Sequence, residues 1–347
     1  MTLLGGVYGR ATMLRRAWYR RHPDRTRRLD HPVISVGNLV VGGSGKTPLV
    51  AALARLLAAA GERPAVLSRG YGRREILDGV VVVSDGERVR AAPAQSGDEP
   101  TMLARMLPGV PVLVSPDRYL AGCLAERRFG CTIHLLDDGF QHLRLARDVD
   151  LLVMSAADLD EPLLPAGRLR EPLAAASAAD ALLVAGTDGD VEAVMRRTGV
   201  DTAFRVDVRC HAPQLITDDP QSVGADLRYG PPPRPVVAVA GIARPERFFA
   251  ALRARGWPVG REVVFRDHHW FTPRDISRVE QAAFTAGATL IITTEKDAAR
   301  LSPSLVTPPP AWAVLPLELS VEPADQFTSW LAGRLAAARR TRIEAVA

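Results

Sequence analysis

The clearest chemical signal in the sequence is a glycine-rich loop that ends in lysine and threonine. An apolar run at residues 32–36 predicts a buried strand before the loop, and a helical pattern begins at Thr47. The loop itself reads Gly42-Gly43-Ser44-Gly45-Lys46-Thr47. Backbone N–H groups of such a loop can converge on phosphate oxygens, Lys46 adds a positive charge, and the Thr47 hydroxyl can bind Mg²⁺. The order of strand, loop and helix is typical of a Walker A phosphate loop.

The match departs from the usual pattern at Val40, where a glycine five residues before Gly45 is expected. A β-branched side chain restricts the backbone, so we expect the start of the loop to differ in detail. A glycine-rich turn with an unrelated lysine is the alternative, but the order of the elements favours phosphate binding. The expected ATP-binding residues are Val40, Val41, Gly42, Gly43, Ser44, Gly45, Lys46 and Thr47.

Two aspartates follow a second apolar run. Residues 132–136 predict a core strand, and Asp137 and Asp138 come directly after it. An acid at the carboxyl end of a core strand, downstream of a phosphate loop, is where a Walker B aspartate binds Mg²⁺. Turn-forming aspartates are the alternative. The sequence favours a magnesium site that includes Thr47, Asp137 and Asp138.

A further acidic pair, Asp98 and Glu99, stands immediately before a helical pattern that includes Met102 and Leu103. Asp98 is therefore well placed to be the N-cap of that helix. In a phosphate-loop protein, the same pair could instead supply a proton acceptor and a carboxylate near the magnesium ion. The pattern leaves both interpretations open.

A flexible basic loop follows the predicted strand at residues 64–68. It contains Arg69, Tyr71 and Arg73, separated by glycines, and could approach an anion closely. An ordinary surface turn explains it equally well.

The elements that position these residues alternate between strand and helix. This pattern predicts an α/β fold, a P-loop NTPase-like parallel sheet with helices on both faces, and ligands at the carboxyl ends of the strands. A second, smaller α/β domain follows the proline-rich residues 231–235, and segments 203–210 and 313–320 are predicted to pair as a two-stranded hinge. The expected division is 1–30, a basic amphipathic helix; 31–205, the kinase domain; 206–320, the smaller domain with the hinge; and 321–347, a C-terminal helix that returns to the first domain.

Charge and cysteine content exclude several classes of protein. Residues 1–30 contain eight arginines and two aspartates, whereas the rest of the chain has 36 basic and 37 acidic residues. The positive charge is therefore local, which does not favour a nucleic-acid-binding surface. Three cysteines without Cys-x-x-Cys spacing argue against a disulfide framework or a zinc site and fit a reducing compartment.

The first 21 residues form an amphipathic helical pattern. Its apolar stripe consists of Leu3, Leu4, Val7, Ala11, Leu14 and Trp18, with arginines beside and behind it. Such a helix could lie on an anionic membrane, with arginine stems reaching the headgroups and Trp18 at the interface. Packing of the helix on the protein itself is an equal alternative. The segment lacks the long apolar core of a signal peptide or a membrane-spanning helix.

Taken together, these motifs resemble one family. The chain resembles the tetraacyldisaccharide 4'-kinase family, in the family's order, at residues 36–48, 68–73, 97–100, 137–142, 170–172, 241–242, 245–249, 267–269 and 293–298. The resemblance implies a two-domain P-loop kinase attached peripherally, through its N-terminal helix, to the cytoplasmic face of the bacterial inner membrane. The implied reaction transfers the γ-phosphate of ATP to the 4'-hydroxyl of an acylated glucosamine disaccharide 1-phosphate, which forms lipid IVA in lipid A biosynthesis.

The implied cofactors are ATP and Mg²⁺, and the implied partners are the lipid and an anionic membrane surface, with no nucleic acid and no obligate protein partner. By the same resemblance, Lys46 and the loop amides bind the β- and γ-phosphates. Thr47 with Asp137 or Asp138 binds Mg²⁺, supported by Glu99. Asp98 is the general base and pairs with His268 across the domain cleft. The candidates for contact with substrate or phosphate are Arg69, Tyr71, Arg73, Gln141, His142, Arg170 and Glu171.

Two other classes share some of these features. A membrane-associated NTPase switch would share the phosphate loop, but residues 294–297 lack one position of the guanine-reading Asn-Lys-x-Asp pattern, and Val41 replaces the second lysine of the partitioning NTPases. A soluble small-molecule kinase would have no use for the first twenty residues.

Overall fold

The computed structural model describes residues 3–42, 45–216, 234–301 and 310–346. These residues form two β-sheets, the larger of nine strands. From edge to edge its strands are β14 (Leu317–Glu322), β8 (Ala203–Cys210), β7 (Ala181–Ala185), β6 (Val149–Ser155), β1 (Val33–Gly37), β5 (Ile133–Asp137), β2 (Pro64–Ser68), β4 (Pro111–Val114) and β3 (Val81–Asp85). Neighbouring strands are parallel except at the edges, where β14 and β3 are antiparallel to their neighbours.

Helices pack on both faces of the large sheet. They are α1 (Leu3–Arg21), α2 (Lys46–Ala59), α3 (Pro93–Ser96), α4 (Asp98–Met106), α5 (Arg118–Phe129), α6 (Asp188–Thr198) and α10 (Ala324–Val346), with short 3₁₀ turns at Pro23–Arg25, Ala156–Asp158 and Leu173–Ala178. Alternate residues of β1 enter different cores: Ile34 packs in the core that contains Leu53 of α2, and Val33 in the core that contains Ala121 of α5. Apolar strands covered on both faces are expected for a parallel sheet. The predicted fold class is confirmed.

The order of the strands brings the predicted site residues to one edge. β1 lies between β5 and β6, and β2 lies between β5 and β4. Because β1, β5, β2 and β4 run parallel, the loops that follow them all leave at the same, carboxyl edge of the sheet. Ligands of open α/β sheets bind at this edge.

The smaller sheet has its own helices. Its strands, from edge to edge, are β11 (Val259–Val264), β10 (Val236–Ala240), β12 (Leu290–Thr294), β13 (Ala311–Leu315) and β9 (Gln214–Leu215), and its helices are α7 (Pro245–Ala254), α8 (Pro273–Thr285) and α9 (Glu295–Ala298). Apolar residues of β10 alternate between two cores, one with α7 and one with α8.

The predicted hinge segments pair within the large sheet over only part of their length. β8 pairs with β14 in antiparallel register from Cys210–Leu317 to Arg205–Glu322. The single strand predicted at residues 313–320 is wrong, because Pro316 divides it into β13 of the small sheet and β14 of the large one. Proline has no N–H to donate to a ladder, so the chain changes sheets there.

The C-terminal helix α10 packs on the large sheet. Phe327, Leu331 and Leu335 are buried in the same core as α2, and Arg342 forms a two-pronged ion pair with Asp148 at 2.6 Å. The helix begins at Ala324 and ends at Val346, within the predicted segment 321–347. Residues 231–233 of the predicted domain boundary lie outside the described residues, and the division into domains stays a prediction.

Candidate active site

The loop after β1 is bent by glycines. Gly42 and Gly45 have φ angles of +101° and +76°, which side chains with a Cβ rarely adopt. Gly45 is the N-cap of α2, so Lys46 and Thr47 are the first residues of that helix. The N–H groups of the first helical turn therefore point toward the loop, as an anion site requires.

The start of the loop is held by a second segment. Val40 forms a β-bridge with Leu169, and the Val41 N–H donates to the Arg168 carbonyl at 2.8 Å. Val40 is therefore in a strand-like conformation, which suits a β-branched residue better than a glycine. This pairing explains the departure from the usual glycine pattern.

A cavity of about 630 Å³ opens beside this loop and contains most of the predicted site residues. The predicted residues that line it are Val40, Val41, Gly42, Lys46, Arg69, Tyr71, Glu99, Asp137, Asp138, Gln141, His142, Arg170 and His268. The lining residues that were not predicted are Arg15, Ser68, Pro116, Arg118, Arg144, Asp267 and Lys296. Gly45, Thr47, Arg73, Asp98 and Glu171 do not line it, and Gly43 and Ser44 lie outside the described residues.

Lys46, Asp138 and Arg170 form one network through Asn38. Lys46 Nζ donates to Asn38 Oδ1 at 2.9 Å and lies 3.4 Å from Asp138 Oδ1. Arg170 contacts both oxygens of Asp138 at 2.8 Å and also donates to the side chain of Asn38. Burial alone would raise the pKa of Asp138, but Arg170 and Lys46 lower it well below its usual range. The sequence interpretation missed Asn38, which follows β1 directly and orients both cations.

Asp137 has a different environment from its neighbour. Its carboxylate is 2% exposed, and Oδ1 has no hydrogen-bond partner. Burial, followed by the charges of Glu99 and Asp138, raises the pKa of Asp137 to about 7. A buried carboxylate oxygen without a partner is costly unless a cation binds to it. Asp137 therefore fits the predicted role of a magnesium ligand.

No group of three or more acidic, histidine or cysteine side chains in the described ranges is arranged to hold a metal by itself. Magnesium sites in kinases commonly use one or two carboxylates together with substrate phosphates. Thr47 at the start of α2, with Asp137 and Asp138 at the end of β5, matches that kind of site. Glu99 lies 3.4 Å from Lys296 Nζ.

Asp98 and His268 meet between the two sheets. His268 Nδ1 lies 2.9 Å from Asp98 Oδ2. The N-cap interpretation of Asp98 is wrong, because Gly97 is the N-cap of α4 and Asp98 is the first helical residue. Burial alone would raise the pKa of Asp98, but the hydrogen bond from His268 and the charge of Lys296 lower it overall. The same hydrogen bond raises the pKa of His268.

Lys296 connects this pair to the rest of the cavity. Its Nζ lies 3.2 Å from His268 Nε2 and 3.4 Å from Asp267 Oδ1. An ammonium group only donates, so His268 Nε2 accepts here and the Nδ1 proton is donated to Asp98. This assignment of donors and acceptors corresponds to one neutral tautomer of His268. Its φ of +59° and the +55° of Asp138 are uncommon for residues with a Cβ, and such strain is concentrated at functional sites.

The sequence did contain a signal for Lys296. The chain has 44 basic residues, of which only Lys46 and Lys296 are lysines, and both line the cavity. Lysine carries a compact charge with three rotatable donors, which arginine does not reproduce. In a chain that otherwise uses arginine, these two positions could have been singled out by residue type alone.

The residues of the basic loop after β2 differ in their contribution to the cavity. Tyr71 packs edge-on against the ring of His268 at 5.5 Å, and Arg69 lines the cavity. Arg73 does not line it, and its Nη1 is buried without a hydrogen-bond partner. Arg118, the first residue of α5, was not predicted and is almost fully buried beside His142.

Glu171 and Gln141 attach helix α1 to the sheet. The Glu171 carboxylate is buried and accepts from Arg16 at 2.6 Å and from Gln141 Nε2 at 3.3 Å. Arg16 also lies over the ring of Phe140 at 4.1 Å. Because Glu171 is neutralised and covered, its position indicates attachment of α1 rather than contact with substrate. Gln141 lines the cavity while its amide group holds Glu171.

The two faces of α1 differ. The inner face packs closely, since a Cβ on Gly9 would lie 2.8 Å from Leu163. Four residues of the predicted apolar stripe face outward, with Leu4 and Leu14 both 68% exposed, Val7 61% and Trp18 44%. Within the residues that the structure describes, no helix is sufficiently long and apolar to span a bilayer. The helix therefore both packs on the protein and presents an apolar surface.

Comparisons with known proteins show the family to which the chain belongs. The family described as tetraacyldisaccharide-1-P 4'-kinase matches residues 1–336. The tetraacyldisaccharide 4'-kinase of Geobacter metallireducens is 43% identical over 313 residues, covering 88% of this chain and 89% of that protein. The enzyme of the same name from Geobacter sulfurreducens is 41% identical over 331 residues, covering 94% and 89%.

A solved structure is similar over nearly the whole fold. LpxK from Aquifex aeolicus, crystallised in complex with ATP, superimposes with a TM-score of 0.77 at 32% identity, covering 96% of this chain and 97% of that one. The family predicted from the motifs is confirmed. The chain belongs to the tetraacyldisaccharide-1-P 4'-kinase family.

Proposed function

We propose that the protein transfers the γ-phosphate of ATP to the 4'-hydroxyl of a tetraacyldisaccharide 1-phosphate, the acceptor that the family name describes. The observation that carries the proposal is that one cavity is lined both by Lys46, next to the glycine-rich loop, and by His268, in a loop of the smaller sheet. One group is suited to hold phosphate and the other to receive a proton. An NTPase switch would not need the second group.

The phosphates of ATP bind at the loop that begins with Val40. Lys46 and the N–H groups at the start of α2 contact the β- and γ-phosphates, and Arg170, held by Asp138, faces the same region. Phosphoryl transfer passes through a loose transition state, so positioning and charge neutralisation supply most of the catalysis. Moving Lys46 from Asn38 to a phosphate would preserve its hydrogen-bonding.

The acceptor hydroxyl loses its proton to the Asp98–His268 pair. His268 faces the cavity, and Asp98 lies behind it and fixes the ring. Lys296 covers Nε2 of the imidazole, so this nitrogen becomes available when Lys296 turns toward a phosphate. The pair would then act as one acid–base unit.

Thr47, Asp137 and Asp138 would hold the magnesium ion. Mg²⁺ held by these residues would supply positive charge that neutralises the phosphates during transfer. We expect Asp137→Asn to raise the magnesium concentration for half-maximal turnover at least about tenfold, because it removes the anionic ligand. Turnover measured across a magnesium titration checks this, with Asp160→Asn, an exposed aspartate, as the control. An unchanged titration would remove Asp137 from the metal site.

The outward face of α1 supports attachment to the cytoplasmic face of the bacterial inner membrane. Its exposed apolar stripe is flanked by Arg10 and Arg21, which are also exposed. This combination fits an interfacial helix on anionic lipid. The acceptor is acylated, so its hydroxyl would reach the cavity from the membrane surface beside α1, whose Arg15 lines the cavity. No obligate protein partner is required.

The direct test uses the purified full chain with γ-labelled ATP and tetraacyldisaccharide 1-phosphate in detergent micelles. We expect label in the lipid, and none when the 4'-hydroxyl of the acceptor is already phosphorylated. Consumption of ATP without labelled lipid would contradict the proposal and favour the NTPase alternative. Transfer to soluble sugars, with none to the lipid, would favour a small-molecule kinase.

A further inference from the structure

A second cavity lies along the inner face of α1. It has a volume of about 310 Å³, and we call it the helix pocket. Its walls come from α1 and the segment after it, from the loop before β6, and from the 3₁₀ turn Leu173–Ala178. The residues that line it are Met13, Arg16, Ala17, Tyr19, Arg20, Thr26, Leu143, Leu145, Ala146, Arg147, Ala174, Ala175, Ser177 and Ala178. None of them lines the active-site cavity, so the two spaces are distinct.

The wall of the helix pocket is mainly apolar. Eight of its fourteen lining residues are methionine, leucine or alanine. The alanines of the 3₁₀ turn have no side-chain atoms beyond Cβ, so they leave this space open. An apolar cavity of about 150 Å³ is large enough for benzene, and the helix pocket has about twice that volume. Its size and lining therefore suit a hydrocarbon chain.

The charged groups of the helix pocket are all positive. Three arginines line it, and no aspartate or glutamate does. Arg16 is paired with Glu171 at 2.6 Å, and Arg147 with Asp150 at 3.0 Å. Arg20 is exposed and has no ion pair among the residues that the structure describes. Its guanidinium group is therefore available to an anion at the rim of the pocket.

One chain of contacts divides the helix pocket from the active-site cavity. Arg16 lines the pocket, Gln141 lines the cavity, and Glu171 accepts hydrogen bonds from both side chains. The Glu171 carboxylate is buried between them. A hydrocarbon chain in the pocket would therefore lie behind α1 and outside the space in which the acceptor reacts.

The location of the pocket favours a lipid of the bilayer as its occupant. Leu4, Val7 and Leu14 expose apolar side chains on the outer face of the same helix, and this face rests on the bilayer in the proposed function. Arg20, in the last turn of α1, would then lie where headgroups of that bilayer are present. An amphiphile with an anionic headgroup matches both the apolar interior and the positive rim.

We propose that the helix pocket binds one acyl chain of an anionic membrane phospholipid, whose phosphate contacts Arg20. This rests on the proposed function, in which α1 lies on the membrane, and not on the phosphoryl transfer itself. The chain exchanges one apolar environment for another, so the gain comes from van der Waals contacts with the pocket wall and from charge-assisted hydrogen bonds between Arg20 and the phosphate. One lipid held behind α1 would fix the depth of the helix in the bilayer.

The test uses the full chain on phosphatidylcholine vesicles that contain a phosphatidylglycerol probe with a photoreactive diazirine at the end of one acyl chain. Neither ATP nor the acceptor is present. Leu143 and Leu145 lie in the pocket wall, on a loop and not on the outer face of α1. Crosslinks to the peptide that contains them therefore report the pocket. We expect these crosslinks in the wild type, in addition to those on the outer face of α1.

Two substitutions change the pocket in different ways. Ala178→Phe, at an exposed alanine of the wall, places a ring in the pocket and should reduce crosslinking to residues 143–145 severalfold, while crosslinks to the outer face of α1 persist. Ala59→Phe, at an exposed alanine outside the pocket, is the matched control and should crosslink like the wild type. Arg20→Gln should reduce crosslinking by phosphatidylglycerol, per bound protein, to that of a phosphatidylcholine probe with the same diazirine chain.

Three outcomes would overturn the inference. Unchanged crosslinking to residues 143–145 in Ala178→Phe would place the lipid chain elsewhere. Equal labelling of the wild type by the two probes would remove the contact between Arg20 and the phosphate. Loss of the crosslinks on addition of the acceptor lipid would assign the pocket to an acyl chain of the acceptor.

Two further measurements keep the result decisive. If Ala178→Phe lowers the melting temperature, Ala174→Phe, at a second exposed alanine of the wall, decides in its place. A wild type that does not float with the vesicles would contradict the membrane placement in the proposed function, and crosslinking by the same probe in detergent micelles then decides on the pocket alone.

Discussion

The two halves of the candidate site are assembled in different ways. The nucleotide half, Lys46 with Asp138 and Arg170, comes from the start of α2 and from loops that all belong to the large sheet. The proposed proton-transfer half consists of Asp98 and His268. Asp98 belongs to α4, which packs on the large sheet, and His268 lies in a loop of the smaller sheet. The first half is held by one rigid framework, whereas the second depends on the placement of the two sheets. Binding of ATP and transfer of its phosphate should therefore be separable by mutation.

The largest effect is expected in the nucleotide half. Lys46→Ala should reduce kcat by about 10²–10³-fold, because a preorganised charge on the transferring phosphate is lost. The fold should survive, since the Lys46 ammonium group lies at the cavity beside Asn38 and Asp138. Turnover and the melting temperature, measured together, check this. Turnover like that of the wild type would contradict the phosphate-loop assignment.

In the second half, Asp98→Ala and His268→Ala should each reduce kcat by about 10²-fold with little change in ATP affinity. Because the two side chains share one hydrogen bond, the double variant should lose little more than the worse single variant. Kinetics of the three variants, with titration of a fluorescent ATP analogue, measure both quantities. Fully additive losses would mean that the two residues act separately.

The same contrast explains what could be predicted from the sequence. The phosphate loop follows β1, and Asp137 and Asp138 lie at the end of β5, so a local pattern was sufficient to place them at one sheet edge. Lys296 and Arg118 were missed because their roles arise from contacts between distant segments, with Lys296 lying 3.4 Å from Glu99 nearly two hundred residues earlier in the chain. The pairing of Asp98 with His268 followed from family resemblance and not from spacing.

Substitution of Lys296 tests whether the contact between the two halves of the site affects the rate of catalysis. Lys296→Met should reduce kcat about tenfold, as one ordering contact on His268 is lost. The charge of Lys296 lowers the pKa of His268, so its removal should raise that pKa. In the proposed mechanism activity requires neutral His268, so the acid limb of the kcat profile should move to higher pH.

Lys296→Arg is the matched control, because it keeps the charge and changes only the geometry of the donors. Its acid limb should stay where the wild type has it, even if kcat falls. A shift of the same size in both variants, or in neither, would show that Lys296 does not act through His268.

Helix α1 shows a second limit on what hydrophobic periodicity can predict. The apolar stripe at Leu4, Val7 and Leu14 was correctly placed on one face, but sequence alone could not decide whether that face is inside or outside. The structure orients the other face inward, where Gly9 allows close packing and Arg16 pairs with Glu171. Arginines that look equivalent in sequence therefore have different roles.

The smallest effect on turnover is expected from the exposed arginines of α1. This prediction distinguishes the outer face of the helix from its inner face. Arg10, Arg20 and Arg21 are exposed and have no ion pair in the described ranges; changed together to Gln, they should weaken binding to anionic vesicles by about 1 kcal/mol each at low salt. Turnover should fall severalfold on vesicle-borne acceptor and stay unchanged in detergent.

Arg16→Gln is the contrasting variant, because removing one partner of a buried ion pair should destabilise the fold by about 3 kcal/mol. Vesicle flotation and melting temperature distinguish the two effects. Flotation that ignores the triple substitution would show that α1 does not hold the protein on the membrane by charge.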